Sequence, residues 1–272
     1  MNFETKLPKI VHGVECHPVL LLAGLVLAVA SATVTAASDK PAGRQRLLYV
    51  GSPGIKNYIR LGGHGVLVYD RDDNHRFVKR ISLKGFGVDE EGIALNVKGV
   101  CASARTGRFY VSTLRQLICI DLVTDKVLWQ KTFDFGCDRM SIAPDGQIIY
   151  VPSLETDYWY VVNAATGDEI KRLKLNSRSH NTLYGATGRR VYLSGLASPY
   201  LSVAETDNHT IERTIGPFSD FVRPFTINGA ETLVFANVNH LLGFEIGDLV
   251  DNKSIHRVAV KGFPLGKSKR HG

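Results

Sequence analysis

The sequence predicts an all-β protein, a β-propeller made of four-stranded antiparallel blades. A short apolar motif, usually with tyrosine at its centre, recurs along the chain, and its last four copies are 40, 42 and 42 residues apart. A repeat of about 40 to 45 residues with four strands in each unit is typical of propeller blades. No sustained helical period occurs beyond the N-terminal region, which argues against a helix-containing solenoid. The motif occupies residues 48–50, 109–111, 149–151, 191–193 and 233–235.

The N-terminal region is predicted to be an export signal. Residues 18–37 form an apolar run that ends in small residues, which is typical of a signal-peptide cleavage site. The run is almost long enough to cross a bilayer, so an uncleaved membrane anchor is the alternative. We therefore expect a signal peptide over residues 1–37 and a polar linker over residues 38–45.

The later units share one order of features. A glycine-containing turn precedes the motif, a second apolar run follows it, and an alternation of polar and apolar residues closes the unit. These features predict four strands, with the first lining a central channel and the fourth at the rim. The inner strands are expected to begin near Lys98, Asp138, His180 and Arg223. The predicted blades are residues 46–96, 97–136, 137–177, 178–219 and 220–264, with the start of a further blade at 265–272.

The first unit departs from this pattern. Residues 51–65 lengthen the spacing to the next motif to 61 residues, and the glycines in that stretch predict a loop. The segment before the first motif is polar and contains Pro41 and Gly43. This blade is therefore expected to lack an inner strand of its own.

The third unit carries a family resemblance. Ala-Pro-Asp-Gly at 143–146, Ile-Tyr-Val at 149–151 and Val-Val-Asn-Ala-Ala-Thr-Gly at 161–167 resemble the YVTN-type β-propeller repeat of surface-layer and related exported bacterial and archaeal proteins. The resemblance covers residues 46–264 and is specific for the fold rather than for an activity. It implies seven blades, and five units are present, so we expect an incomplete seven-bladed ring. A closed five-bladed ring is the alternative.

A second resemblance concerns cofactors. Residues 121–130, with Trp129 after a turn, resemble a quinoprotein repeat in which a tryptophan docks one blade on the next. The pattern occurs once here, whereas quinoproteins repeat it in nearly every blade. We therefore expect no quinone and no other cofactor.

Charge and cysteine content exclude several kinds of site. The formal net charge is +7, but no basic stripe with interleaved aromatic residues occurs, so no nucleic-acid partner is expected. Cys101, Cys119 and Cys137 lack the spacing of metal ligands or haem attachment, so no metal site is predicted. Cys101 and Cys119 are expected two strand spacings apart in one blade, which is too far for a disulfide. The three thiols are therefore predicted to be free.

Candidate ligand-binding residues come from the positions at which the repeats differ. We align the blades on the central residue of the motif and compare the start of the inner strands. Eleven residues before the centre the chain carries Gly99, Arg139, Asn181 and Arg223, and one residue earlier it carries Lys98, Asp138, His180 and Val222.

These side chains are expected to meet at one mouth of the channel. Arg139 and Arg223 would clamp a carboxylate or phosphate, and His180 would hydrogen-bond to it or transfer a proton. The alternative is a structural network that joins neighbouring inner strands. The candidate set is Asp138, Arg139, His180, Asn181, Arg223 and, from the next blade, His271.

Other aromatic and histidine residues are assigned to packing or to the surface. The central tyrosines are expected to pack between sheets, and the two tryptophans between blades. His64, His209 and His256 are expected to face solvent. The packing residues are Tyr49, Tyr110, Tyr150, Tyr192, Trp129 and Trp159.

The predicted function is that of an exported, non-catalytic binding or interaction module. Its location is expected to be periplasmic, extracellular or on the cell surface, with membrane contact only through an uncleaved N-terminus. A small anionic ligand, a cell-envelope protein or a polysaccharide is the expected partner. Two alternatives are a propeller-type hydrolase or isomerase, such as a lactonase, and a quinoprotein-like redox-associated propeller. No catalytic residue is identified, since Asp138 is the only acid in the aligned positions.

Overall fold

The computed structural model describes residues 46–53, 64–81 and 96–263. The predicted signal peptide, linker and residues 265–272 lie outside these ranges. Within them the chain is all-β, and no helix there has the length and apolar character needed to span a membrane.

The strands form five antiparallel sheets, one for each predicted blade. Blade 1 consists of β1 (Leu47–Pro53), β2 (His64–Asp70) and β3 (Arg76–Ile81). Blade 2 consists of β4 (Val97–Ser103), β5 (Arg108–Thr113), β6 (Gln116–Asp121) and β7 (Val127–Thr132). Blade 3 consists of β8 (Ser141–Ile142), β9 (Ile148–Pro152), β10 (Tyr158–Asn163) and β11 (Glu169–Lys174). Blade 4 consists of β12 (Ser179–Tyr184), β13 (Arg190–Gly195), β14 (Leu201–Glu205) and β15 (Thr210–Ile215). Blade 5 consists of β16 (Val222–Ile227), β17 (Leu233–Val238), β18 (Gly243–Asp248) and β19 (Lys253–Ala259).

Each sheet is a meander, since strands that follow each other in sequence are neighbours in the sheet. The polar residue that ends the third strand builds the turn that follows. In blade 2, Asp121 Oδ1 accepts hydrogen bonds from the backbone N–H groups of Val123 at 2.9 Å and Thr124 at 2.7 Å. Such a side-chain-bonded turn reverses the chain within a few residues. The inner strands of successive blades contact each other in sequence order, from β4 to β8, β12 and β16.

Blade 1 has three strands in the described part of the chain, and they correspond to the second, third and fourth strands of the other blades. The segment before β1, which is expected to lack an inner strand, lies outside the described residues. The prediction of a loop over 51–65 is wrong at both ends. Gly51 pairs with Val66, and Pro53 pairs with His64, so both ends of the stretch belong to a longer hairpin. The alternating apolar residues of β1 and β2 extend the strand pairing to residues 51–53 and 64–65, although Gly51 and Gly65 lie there.

Four apolar clusters lie between neighbouring blades, and we call each interface a seam. The central motif residue faces the next blade, and its two neighbours face the preceding blade. Tyr110 packs with Ile149 in the seam between blades 2 and 3, while Phe109 packs with Val66 and Val68 of blade 1. This division follows from the period of two along a strand that is buried on both faces.

The last copy of the motif is shifted by one residue from the predicted alignment. Val234 packs with Tyr192 of blade 4 and therefore faces the preceding blade. Phe235 pairs with Ile246 in the same way that Tyr192 pairs with Val203, so Phe235 is the true central residue. The error arose because Leu-Val-Phe has no tyrosine to mark its centre.

The central tyrosines lie between sheets, as predicted, and their hydroxyl groups cross the seams. Tyr110 donates to the backbone oxygen of Ala164 in blade 3 at 3.0 Å. Tyr192 donates to Glu231 Oε2 in blade 5 at 3.1 Å. Buried hydroxyl groups need hydrogen-bond partners, and these two hydroxyl groups connect blades 2 and 4 to a turn of the following blade.

His209 contradicts its prediction of a solvent-facing side chain. It is half-buried, and its Nδ1 lies 2.7 Å from the hydroxyl oxygen of Tyr150 across the seam between blades 3 and 4. The sequence pattern did not reveal this contact between His209 and Tyr150. His256 is exposed, in agreement with the prediction.

Stability should fall with acidification because of His209. Burial, aided by the charge of Lys171, holds the pKa of His209 below its ordinary value near 6.5. The unfolded chain therefore binds more protons below that pH, so this part of the stability is present above it and is lost on acidification. His209→Gln should flatten the change in unfolding midpoint between about pH 7 and pH 5.5, whereas the exposed control His256→Gln should not. Equal pH slopes for the wild type and His209→Gln would contradict this expectation.

Both tryptophans pack between blades, as predicted. The ring of Trp129 in blade 2 packs against Gly167 in blade 3. Trp159 in blade 3 is fully buried and donates from Nε1 to Thr182 Oγ1 in blade 4 at 2.9 Å.

The three described cysteines are free, and their placement matches the prediction. Cys101 and Cys119 each pair with Tyr110 from opposite sides, so two strand spacings separate them. Burial raises the pKa of the Cys119 thiol to about 11. These thiols therefore stay protonated and act as small apolar side chains.

Over the described ranges, apolar residues on the free faces of the first and last sheets are more exposed than the matching residues of the middle blades. Leu48 and Val50 of β1 are 43% and 37% exposed, whereas the matching Phe109 and Val111 of β5 are 2% and 0% exposed. Phe235 is half-buried, whereas the matching Tyr192 is 0% exposed. These exposures fit an incomplete propeller rather than a closed five-bladed ring.

Candidate functional site

The inner strands of three blades begin with a break in the ladder. The pairing shifts between Val97 and Gly99 in β4, and between Ser179 and Asn181 in β12. In β16 it shifts between Val222 and Phe225. A β-bulge leaves its extra residue unpaired and turns its side chain away from the regular alternation. The bulged residues are Lys98, His180, and the pair Arg223 and Pro224.

The observed centre of the blade 5 motif corrects the alignment of Arg223. Counted from Phe235, Arg223 occupies the position of Lys98, Asp138 and His180 rather than that of Arg139. The correction follows from the same one-residue shift that affects the motif of blade 5. Lys98, Asp138, His180 and Arg223 thus form one set of equivalent positions where the inner strands begin.

Asp138, His180 and Arg139 form a chain of polar contacts. His180 Nδ1 lies 2.8 Å from Asp138 Oδ2, and the carboxylate is only 5% exposed. Arg139 Nη1 lies 2.6 Å from His180 Nε2 and 2.7 Å from Nδ1. Because the carboxylate can only accept, Nδ1 carries the proton of the bond to Asp138. Nε2 is then the ring nitrogen that can accept from Arg139, and the contact between Nη1 and Nδ1 is not a hydrogen bond. The buried acid thus fixes the ring, and the ring positions the guanidinium group.

The backbone around this chain is held by the neighbouring blades. Ser112 Oγ of blade 2 donates to the backbone oxygen of Asp138 at 2.7 Å. Arg139 forms an isolated parallel bridge with Asn181 of blade 4. The short loop that leads into β8 is therefore anchored on both sides.

Arg223 approaches from blade 5. Its Nε donates to Asn239 Oδ1 at 2.6 Å, and Asn239 is almost fully buried. This bond orients the guanidinium group of Arg223. Asn239 was missed by the sequence analysis, although it lies directly after β17, across the hairpin from Arg223.

A cleft of about 390 Å³ brings the candidate residues of three blades together. Arg139, His180 and Arg223 line one part of it, and Val238, Leu241 and Leu242 line another. Among the described residues, no carboxylate side chain lines the cleft. Two arginines and an apolar wall suit an anion with a non-polar body.

The remaining candidates do not reach the cleft. Asp138 lies behind His180, and Asn181 is 8% exposed and lies in the backbone bridge to Arg139. His271 lies outside the described residues.

The carboxylate of Asp220 interacts with both His240 and Arg223. Asp220 Oδ2 lies 2.7 Å from His240 Nδ1, and this hydrogen bond is the main reason why the pKa of Asp220 lies below its ordinary value. Over the described ranges, no group of three or more histidine, cysteine, aspartate or glutamate residues could hold a metal ion.

Solved structures resemble this arrangement of sheets. The chain is similar to hydrazine synthase of Kuenenia stuttgartiensis, with 18% identity and a TM-score of 0.55, over 60% of this chain and 49% of that one. It is similar to the dihydro-heme d1 dehydrogenase NirN in complex with DHE, with 14% identity and a TM-score of 0.61, over 83% of this chain and 47% of that one. A third match is the β-propeller domain of Cps50 (Swd1) from Myceliophteria thermophila, with 12% identity and a TM-score of 0.55, over 74% of this chain and 66% of that one.

The fold is a β-propeller. No family model and no curated protein matches the chain. The chain spans about half the length of the first two matched structures. At these identities the likeness concerns the propeller fold alone, because one fold supports many functions.

Proposed function

We propose that the protein is an exported binding module whose channel mouth takes up a small anionic ligand. The observation that carries the proposal is the cleft in which Arg139, His180 and Arg223, from three different blades, converge, with no carboxylate among its described lining residues. The Asp138 carboxylate is hydrogen-bonded to His180, and two guanidinium groups line the cleft, which favours an anion there.

The geometry supports binding because both arginine side chains are already oriented. His180 holds Arg139 at the wall, and Asn239 holds Arg223 opposite to it. Two preoriented guanidinium groups lose little side-chain freedom when an anion arrives. The apolar wall at Leu241 and Leu242 would cover the non-polar part of the ligand.

Removing both arginines should abolish anion binding without unfolding the protein. Charge-assisted contacts contribute about 1.5 to 3 kcal/mol each, so Arg139→Ala with Arg223→Ala should weaken binding by at least about 100-fold. The measurement is isothermal titration with inorganic phosphate and with acetate, together with a thermal unfolding curve.

The matched control is Arg105→Ala with Arg189→Ala. Both residues are exposed and lie at the opposite ends of their blades' inner strands, in the turns to the second strand, so the change in net charge is the same. This variant should bind like the wild type. The proposal is wrong if the wild type binds neither anion, or if the channel double variant binds as well as the control.

The export proposal rests on the apolar run at residues 18–37. An exported module with a net charge of +7 suits anionic partners at the cell envelope, including proteins and polysaccharides. Fractionation of cells that express the full chain would test this location, with recovery in the cytosol as the contrary result.

A further inference from the structure

A second cleft adjoins the first, and the two share Arg139. It has a volume of about 310 Å³ and is lined by Gly51, Pro53, Lys98, Gly99, Val100 and Arg139, among others. It lies beside β1, at the place where the other blades carry an inner strand. Among the described residues blade 1 has none.

Lys98 supplies the second cleft with a cation. It is half-buried at the bulge of β4, the same position that holds His180 and Arg223 in blades 4 and 5. Within the described ranges its ammonium group has no carboxylate partner. Lys98 stands at this position in the alignment of the repeats, but the candidate set omitted it.

Gly99 brings the backbones of two neighbouring inner strands close together. A Cβ atom at this residue would lie 2.9 Å from Arg139 Cα and 3.0 Å from the backbone oxygen of Asp138. Only glycine permits this approach of two backbones. Lys98 and Arg139, which belong to different blades, both line the second cleft.

We propose, resting on the function proposed above, that the ligand carries two anionic groups, as a dicarboxylate does. One group lies in the first cleft between Arg139 and Arg223, and the other lies in the second cleft at Lys98. Arg139 lines both clefts, so the body of the ligand crosses it. A monoanion fills only one of the two clefts and leaves the other cation solvated.

The test compares two ligands with the same six-carbon chain that differ by one charge, adipate and its monomethyl ester. Wild-type protein should bind adipate at least about tenfold more tightly in isothermal titration. Lys98→Ala should remove this preference and leave the affinity for monomethyl adipate within about threefold of the wild type. Lys98→Gln retains the stem of the side chain and should give the same result if the alanine variant folds poorly.

The control variant is Lys126→Ala, which removes an exposed lysine from another turn of the same blade. It should retain the preference for adipate. Equal binding of the two ligands by the wild type would overturn the two-anion inference and leave the proposed function standing. A lysine variant that loses both ligands would also overturn it, because Lys98 would then belong to a single anion site. Failure of every anion, including phosphate and acetate, would overturn the proposed function itself.

Discussion

Trp159→Ala is expected to lower the free energy of unfolding by about 4 kcal/mol, which corresponds to roughly 10 °C in the unfolding midpoint for a domain of this size. Trp159 is 0% exposed and belongs to the apolar cluster between blades 3 and 4. Its removal leaves a large cavity and deprives Thr182 of the indole donor. Denaturant and thermal unfolding would measure the loss.

Trp129→Ala is the matched control, because it removes the same side chain from a different seam. Trp129 is only half-buried, and its Nε1 has no partner among the described residues. We expect a loss of about 2 kcal/mol, in proportion to the smaller burial. Equal losses for the two variants would show that burial in the seam does not determine stability.

Gly136→Ala is expected to destabilise the protein by about 3 kcal/mol or more. Gly136 has φ +68°, and a Cβ atom there would lie 2.1 Å from the backbone oxygen of Leu114. The backbone conformation and the clash act together, so the loop must move. Because this loop leads directly to Asp138 and Arg139, anion binding should weaken in the same variant.

Gly107→Ala separates the two causes. Gly107 has φ +66°, and nothing lies within 4 Å of the place where its Cβ would be. This variant should lose only about 1 kcal/mol, which is the contribution of the strained backbone. Unfolding curves for both variants, with anion titrations, would give the comparison. A loss in Gly136→Ala no larger than in Gly107→Ala would show that the loop can relax.

The fold could be predicted from the sequence because its cause is local and repeated. The alternation of Phe109, Tyr110 and Val111 already contains the rule that one residue faces the next blade and its neighbours face the preceding one. Applied to Leu233–Phe235, the rule gave a centre one residue too early, because a run of three apolar residues does not indicate which one is central. The pairing of Phe235 with Ile246 decides it.

The candidate site could be predicted only in part. Alignment of the repeats placed Arg139 and His180 near the start of inner strands, and the structure brings them into contact. It placed Asn181 with them, yet the bulge at His180 turns Asn181 into the protein. A bulge changes which side chain points to the channel without changing residue spacing, so a count of residues alone does not reveal it.

The tyrosine hydroxyls that cross the seams bear on how such a chain can gain or lose repeats. Tyr110 lies in one blade and its acceptor at Ala164 in the next, and Tyr192 and Glu231 are related in the same way. A tandem duplication of one whole period keeps each central residue facing the blade that follows it. A duplication a few residues longer or shorter shifts the motif out of this register, and a tyrosine hydroxyl can then be left buried and unbonded. The seams therefore favour evolution of the chain in steps of a complete blade.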